Sequence, residues 1–233
     1  MTSGTDIPAR HRTIRSFVRR AGRLTPSQQR ALEDLWPEFG VAFSEELLQF
    51  GALFGRTAPV VLEIGFGNGE TLVQQAEEHP ELDFLGIEVH EPGIGHCLLA
   101  ARDAGITNLR LIRHDAMEVL VAMIPPASLA RVNLYFPDPW PKKRHHKRRI
   151  VQPRFLDLVA DRLAAGGSLH VATDWENYAE HIEAAVRESG RFECAERRVH
   201  SGDDPLDRPE TKFERRGLRR GHRIRDWRFV LAD

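Results

Sequence analysis

From Pro59 onward, short apolar runs alternate with helical patterns, and that alternation decides the fold class. Val60-Val61-Leu62-Glu63-Ile64 is the first run. A glycine turn, Gly65-Phe66-Gly67-Asn68-Gly69, follows it, and then a helix to about Glu78. Residues 83–88, 108–113, 130–136 and 168–173 read as the next four strands. Helices are expected over 92–104, 115–123, 151–165 and 175–189, with Gly166-Gly167 stopping the third. Residues 192–199 and 226–231 complete the set, separated by a polar loop. Seven strands alternating with helices predict an α/β fold with a doubly wound, mostly parallel sheet. Upstream, Thr25-Pro26-Ser27-Gln28 signals a helix start, and that helix ends before Pro37; residues 43–54 form a second amphipathic piece. The expected organisation is a basic arm and helical extension over 1–57, then one domain over 58–233.

The 233 residues suffice for a proper core. No apolar run approaches the roughly 18 residues of a membrane span, and no apolar segment follows the Arg-rich start as a signal peptide requires. Cys97 and Cys194 show no metal or redox spacing and read as buried thiols in a reducing cytoplasm. The net charge of −1 conceals a segregated molecule. Windows 10–23, 142–149 and 212–228 hold 20 of the 33 basic residues but 2 of the 34 acids. Three basic patches on an acidic body point to a polyanionic partner.

Chemistry concentrates where the fourth strand ends. Tyr135-Phe136 runs into Pro137-Asp138-Pro139-Trp140, and the basic run 142–149 follows. Proline fixes φ and removes a backbone donor, so the strand stops and Asp138 is held on a stiff turn. In an α/β sheet this end of the strands faces ligands. Three more acids sit at strand ends. Glu63 precedes the glycine turn, Glu88 ends the second strand, and Asp115 follows the third. The turn's Gly65 and Gly67 let a ligand approach backbone closely. Glu88 suits ribose hydroxyls, as in NAD or S-adenosylmethionine. Asp115 suits an adenine amine, with a helix N-cap as its plainer role. Carboxylates without a pyrophosphate counter-charge favour S-adenosylmethionine over NAD.

Leu62-Glu63-Ile64-Gly65-Phe66-Gly67 resembles the first motif of class I methyltransferases. More narrowly, the chain resembles the bacterial tRNA (guanine-N7)-methyltransferase family from about residue 10 to its C-terminus. The resemblance rests on residues 84–90, on Tyr135-Phe136-Pro137-Asp138-Pro139-Trp140 with its basic run, on Ala172-Thr173-Asp174-Trp175-Glu176, and on residues 211–217, Thr-Lys-Phe-Glu-Arg-Arg-Gly. Two departures stand out: Asn68 inside the glycine turn, and Trp227-Arg228, which make the last strand unusually polar.

The resemblance implies a Rossmann-like methyltransferase of the cytoplasm, monomeric or homodimeric, that acts on tRNA without metal or membrane. It implies that Glu63, Glu88, Asp115 and Asp138 line the S-adenosylmethionine site, with Asp138 also catalytic. Lys142, Asp174, Thr211, Lys212, Phe213 and Glu214 would contact the substrate. Arg144, His145, His146, Lys147, Arg148 and Arg149 would meet the RNA. Trp140 or Trp175 would stack on an extruded base. Methylation of an exocyclic amine, or an RNA-binding module with a relic cofactor pocket, are the competing readings.

Overall fold

The computed structural model describes Phe17, residues 22–201 and residues 208–232. Most of the basic window 10–23 therefore lies outside the described residues. A single sheet carries the fold. Its strands, in chain order, are β1 (Gly40–Val41), β2 (Val60–Ile64), β3 (Asp83–Ile87), β4 (Leu109–Ile112), β5 (Leu129–Tyr135), β6 (Leu163–Thr173), β7 (Phe192–His200) and β8 (Ile224–Leu231). They lie in the order β1-β4-β3-β2-β5-β6-β8-β7. All pairings from β1 to β6 are parallel; β8 runs antiparallel between β6 and β7. β2 and β3 are buried at every residue, as a parallel strand covered on both faces must be.

Helices cover the sheet in two layers. One core joins α1 (Pro26–Asp34), α2 (Trp36–Phe39), α4 (Glu70–Glu78) and α5 (Glu91–Ala104) to one face through Ala31, Phe39, Leu72, Ile94 and Leu98. The other joins α6 (Ala116–Ala122), α7 (Pro153–Arg162) and α8 (Glu176–Ser189) through Val119, Phe155, Val159, Tyr178 and Ile182. The chain moves outward from β2 to β3 and β4, then returns to lay β5 against the other side of β2. That reversal opens a crevice above the carboxyl ends of β2 and β5.

The expected strands are present, and the differences are local. α1 ends before Pro37, closed at its start by a Thr25–Gln28 capping box, but Pro37 then opens α2. β1 is an eighth strand, two residues long at the sheet edge, too short to leave a pattern in sequence. Within 43–54 only α3 (Phe50–Phe54) is helical. Gly166-Gly167 do not cap α7, which stops at Arg162 when Leu163 turns extended and enters the core. They belong to an irregularity in β6, whose pairing jumps from Leu129↔Leu163 to Arg131↔Ser168. A further helix, α9 (Lys212–Arg219), lies within the expected polar loop. Cys97 is buried as expected, whereas Cys194 is exposed because β7 lies at the sheet's other edge. Among the described residues no helix is long and apolar enough to cross a membrane.

The glycine turn is packed against α5 by direct backbone contact. A Cβ on Gly93 would stand 2.1 Å from the Gly67 carbonyl oxygen. Gly93→Ala is therefore expected to destabilise the protein by about 1–3 kcal/mol, since neither backbone can give way. Gly51→Ala, whose new Cβ meets nothing nearer than 3.9 Å, should leave urea unfolding unchanged or slightly later.

Candidate active site

The crevice holds a cavity of about 480 Å³ between the glycine turn, the ends of β3 and β5, and α9. Gly65, Gly67 and Gly69 all have φ between 60 and 77°, a region that excludes most side chains. Glu88 fixes the turn: its Oε2 accepts the Gly67 N–H at 2.9 Å, and its Oε1 accepts the Val89 and His90 N–H groups at 2.6 and 3.0 Å. His96 Nδ1 lies 2.9 Å from the Asn68 carbonyl, so Asn68 takes part through its backbone.

Glu63 lies beneath the turn at 2% exposure, accepting from Gln75 Nε2 at 3.3 Å. Gln75 in turn accepts from Asn133 and Arg131. Burial pushes the Glu63 carboxyl up to about 7, although the Gln75 hydrogen bond and the Arg131 and Arg208 charges pull the other way. A buried acid poised near neutrality in a ligand-sized cavity is set to receive a cation.

The proline turn forms the opposite wall. Phe136 and Trp140, at φ 50 and 45°, are non-glycine residues in the left-handed region on either side of Pro137-Asp138-Pro139. Such backbone costs roughly 1–3 kcal/mol per residue and persists only where its surroundings enforce it. The Phe136 N–H donates to the Ala172 carbonyl at 2.8 Å, and Arg149 Nε donates to the Pro139 carbonyl at 2.9 Å. Asp138 is thereby held exposed at the cavity edge.

The third wall comes from α9. Thr211 caps it, accepting from the Glu214 N–H at 3.0 Å, while Glu214 Oε2 accepts from the Thr211 N–H at 3.2 Å. Phe213, 53% exposed, lies over the turn, one ring carbon 3.7 Å from where a Gly67 Cβ would be. Lys212, Arg216 and Arg219 share one helix face and all line the cavity. Acids at the strand ends thus face cations on α9. Sequence reasoning missed these two arginines because it missed the helix; the Thr-x-x-Glu capping signature at 211–214 announces it.

Glu63, Gly65, Gly67, Glu88, Asp138, Thr211, Lys212 and Phe213 therefore meet around one cavity. Asp115 does not line it. It caps α6 by accepting the Met117 N–H at 2.9 Å and borders a second hollow of about 630 Å³, with Phe43, Lys147, Arg148 and Arg149. A smaller hollow of about 210 Å³ shares Glu88 and Asp138 with the cavity and Ile150 with the Asp115 hollow.

Two further residues expected at the site are buried. Glu214 is fully buried: its Oε2 accepts from Arg208 and from the Thr211 N–H, and its Oε1 lies 3.3 Å from His200 Nε2. Arg149, 2% exposed, is turned inward: its other donors bond to the Asn177 carbonyl and Oδ1, and its guanidinium lies 4.8 Å from the Tyr178 ring centre. Residues 143–148 form a 3₁₀ turn, on which Arg144 and Lys147 are exposed and His145 and His146 half-buried. Lys142, just before it, is exposed too. Arg148 covers the Trp140 ring at 4.2 Å. Trp175 packs against the core. Asp174 faces α9 rather than the cavity, its Oδ2 3.0 Å from His222 Nδ1.

A family model described as "Putative methyltransferase" matches residues 57–227. The tRNA (guanine-N(7)-)-methyltransferase of Halorhodospira halophila is 56% identical over 218 residues, covering 92% of this chain and 94% of its own. Proteins of the same name from Aeromonas hydrophila and Escherichia coli K12 are 57% and 55% identical, covering 92% and 94% of this chain and 91% of each relative. Among solved structures, the 16S rRNA methyltransferase KamB is similar in fold, with a TM-score of 0.57 at 17% identity over 80% of this chain and 95% of its own.

Glu63 supplies a test of the cavity. S-adenosylmethionine carries a sulfonium and an ammonium, and a bound cation lowers the Glu63 pKa from about 7. Binding then favours the ionised form, so affinity should be full above pH 7 and fall as pH drops below it, approaching tenfold per unit. Calorimetric titration from pH 5.5 to 8 checks this. Glu63→Gln should weaken binding at pH 8 and flatten the profile.

Proposed function

This chain belongs to the tRNA (guanine-N(7)-)-methyltransferase family, and from that membership we propose that it transfers a methyl group from S-adenosylmethionine to N7 of a guanine in tRNA. The observation that carries the reading is the meeting of Glu63, Glu88 and Asp138 with the α9 residues Thr211, Lys212 and Phe213 around one cavity, beside an exposed basic turn. The reading includes a cytoplasmic protein, monomeric or homodimeric, with 1–57 as a basic and helical extension of the methyltransferase domain.

S-adenosylmethionine supplies an electrophilic methyl group on a sulfonium. The residues present fit it. Glu63 is a buried acid tuned to accept a cation, the glycine turn admits close approach, and Glu88 keeps acceptor capacity beyond its three backbone donors. Asp115 borders the hollow on the other side of Ile150 and would hold the adenine amine.

Guanine N7 carries a free lone pair and loses no proton when it is methylated, so neither a general base nor a metal is needed. The chain's work is to place that nitrogen in line with the methyl and to stabilise the positive charge that the base acquires. Asp138 serves both ends, because its rigid turn fixes it between the cavity and the basic run. Phe213 offers an exposed ring for stacking, whereas Trp140 is already covered by Arg148 and Trp175 is packed in the core. Lys142, Arg144, His145, His146, Lys147 and Arg148 form the phosphate-facing surface. Thr211 and Lys212 border the base from α9; Asp174 and Glu214 act by holding that helix.

Bulk unmodified tRNA incubated with labelled S-adenosylmethionine should yield 7-methylguanosine; N6-methyladenosine instead would refute the reading. Asp138→Asn should lower turnover about 10²–10³-fold with tRNA affinity little changed. Lys147→Ala should weaken tRNA binding and reduce its salt slope by about 1. Arg149→Ala should instead lower thermal stability, since it strands buried partners.

A further inference from the structure

Behind the cavity, one face of the sheet carries a cluster of arginines, of which Arg208 also anchors α9 through Glu214. β6 and β8 turn Leu169, Val171, Trp227 and Phe229 into the core, so Ser168, His170, Asp226 and Arg228 emerge on the opposite side. Arg131 of β5 pairs with Ser168, and Arg228 of β8 with His170 and Glu196. With Arg198 and Arg208 they surround a hollow of about 240 Å³.

Four guanidinium groups and two carboxylates line this space, and both carboxylates are already shared. Asp226 accepts from Arg208 and His170; Glu196 pairs with Arg198 and, at 3.5 Å, with Arg228. Arg131 makes no salt bridge among the described residues, although its charge is felt by the Glu63 carboxyl beyond Gln75. Its hydrogen-bond partner is the neutral Gln75 side chain, at 3.4 Å, and its Nε is buried with no hydrogen-bond partner among the described residues. A half-buried guanidinium without a salt bridge gains from an anion seated beside its outer donors. Arg228 is half exposed and can swing toward the same point. Its place here also explains the unusually polar last strand.

We propose that this hollow is a phosphate-binding site in which Arg131, Arg228 and the Ser168 hydroxyl hold one phosphate group. The volume suits a single group better than a whole nucleotide. The group can belong to the tRNA backbone, which would give the RNA a seat apart from the basic turn, or to a small free anion. The tRNA alternative rests on the proposed function; phosphate binding itself does not.

The test titrates the full-length protein with inorganic phosphate, following arginine Nε–Hε NMR signals, and measures tRNA binding against salt concentration. Phosphate should shift the Arg131 and Arg228 signals saturably. Arg228→Gln should weaken phosphate binding at least tenfold, while Glu196→Gln, which removes a competing carboxylate, should strengthen it. A tRNA salt slope about 1 smaller in Arg228→Gln assigns the phosphate to RNA, and an unchanged slope assigns it to a free anion. Absence of saturable shifts in the unaltered protein, or weaker phosphate binding by Glu196→Gln, overturns the site. Failure to methylate tRNA would sink the proposed function and leave the phosphate result standing.

Discussion

The site depends on one buried cation. The Arg208 side chain is 1% exposed, and its guanidinium donates to Asp226 Oδ2 at 2.6 and 2.9 Å and to Glu214 Oε2 at 2.6 Å. It also lies 4.9 Å from the Tyr135 ring centre and 5.8 Å from that of Phe136. Burial opposes the Arg208 charge, but Asp226 and Glu214 outweigh it and hold the group above its usual range. One side chain thus ties three distant parts of the chain together: β8 through Asp226, α9 through Glu214, and the start of the proline turn through Phe136. Removing one partner from such a network strands charge in the interior, at a cost of roughly 3–5 kcal/mol. The network continues through His170, which contacts Asp226 and lies 3.1 Å from the Tyr135 hydroxyl.

Its consequence is positional. Without Arg208, Glu214 keeps only His200 as a charged partner among the described residues, and α9, which buries only Glu214 and Gly217, is left with Asp174 against Gly217 and the exposed Arg215–Glu70 pair. That helix brings Thr211, Lys212, Phe213, Arg216 and Arg219 over the cavity. The strand-end carboxylates are fixed independently, by backbone donors at Glu88 and by the Gln75 relay at Glu63. The two halves have opposite charge and different supports: an acidic floor built into the parallel sheet and a cationic wall hung on a buried ion pair.

The floor was legible in the sequence because parallel strands leave unmistakable apolar runs, and acids such as Glu63 and Glu88 at their carboxyl ends come to the crevice. The proline turn was legible for a similar reason, since two prolines stop a strand whatever surrounds it. The wall was not, although the capping box at Thr211 and Glu214 marks a helix start; Arg and Gly dilute the apolar periodicity of 212–219. Arg149 and Arg208 show the deeper limit. A basic residue in a charged stretch reads as solvated, and burial by Asn177 and Tyr178, or by Asp226 and Glu214, involves partners at least six residues away in sequence. Asp115 shows that a residue's plainer role as a helix cap is present whether or not a ligand also uses it.

Hydrogen exchange in Arg208→Met tests this dependence most directly. The substitution removes the charge while keeping much of the stem. The expected result is loss of amide protection across Lys212–Arg219 and weaker S-adenosylmethionine binding, with β2 to β5 as protected as before. Unchanged protection of that helix would contradict the claim that Arg208 holds it over the cavity.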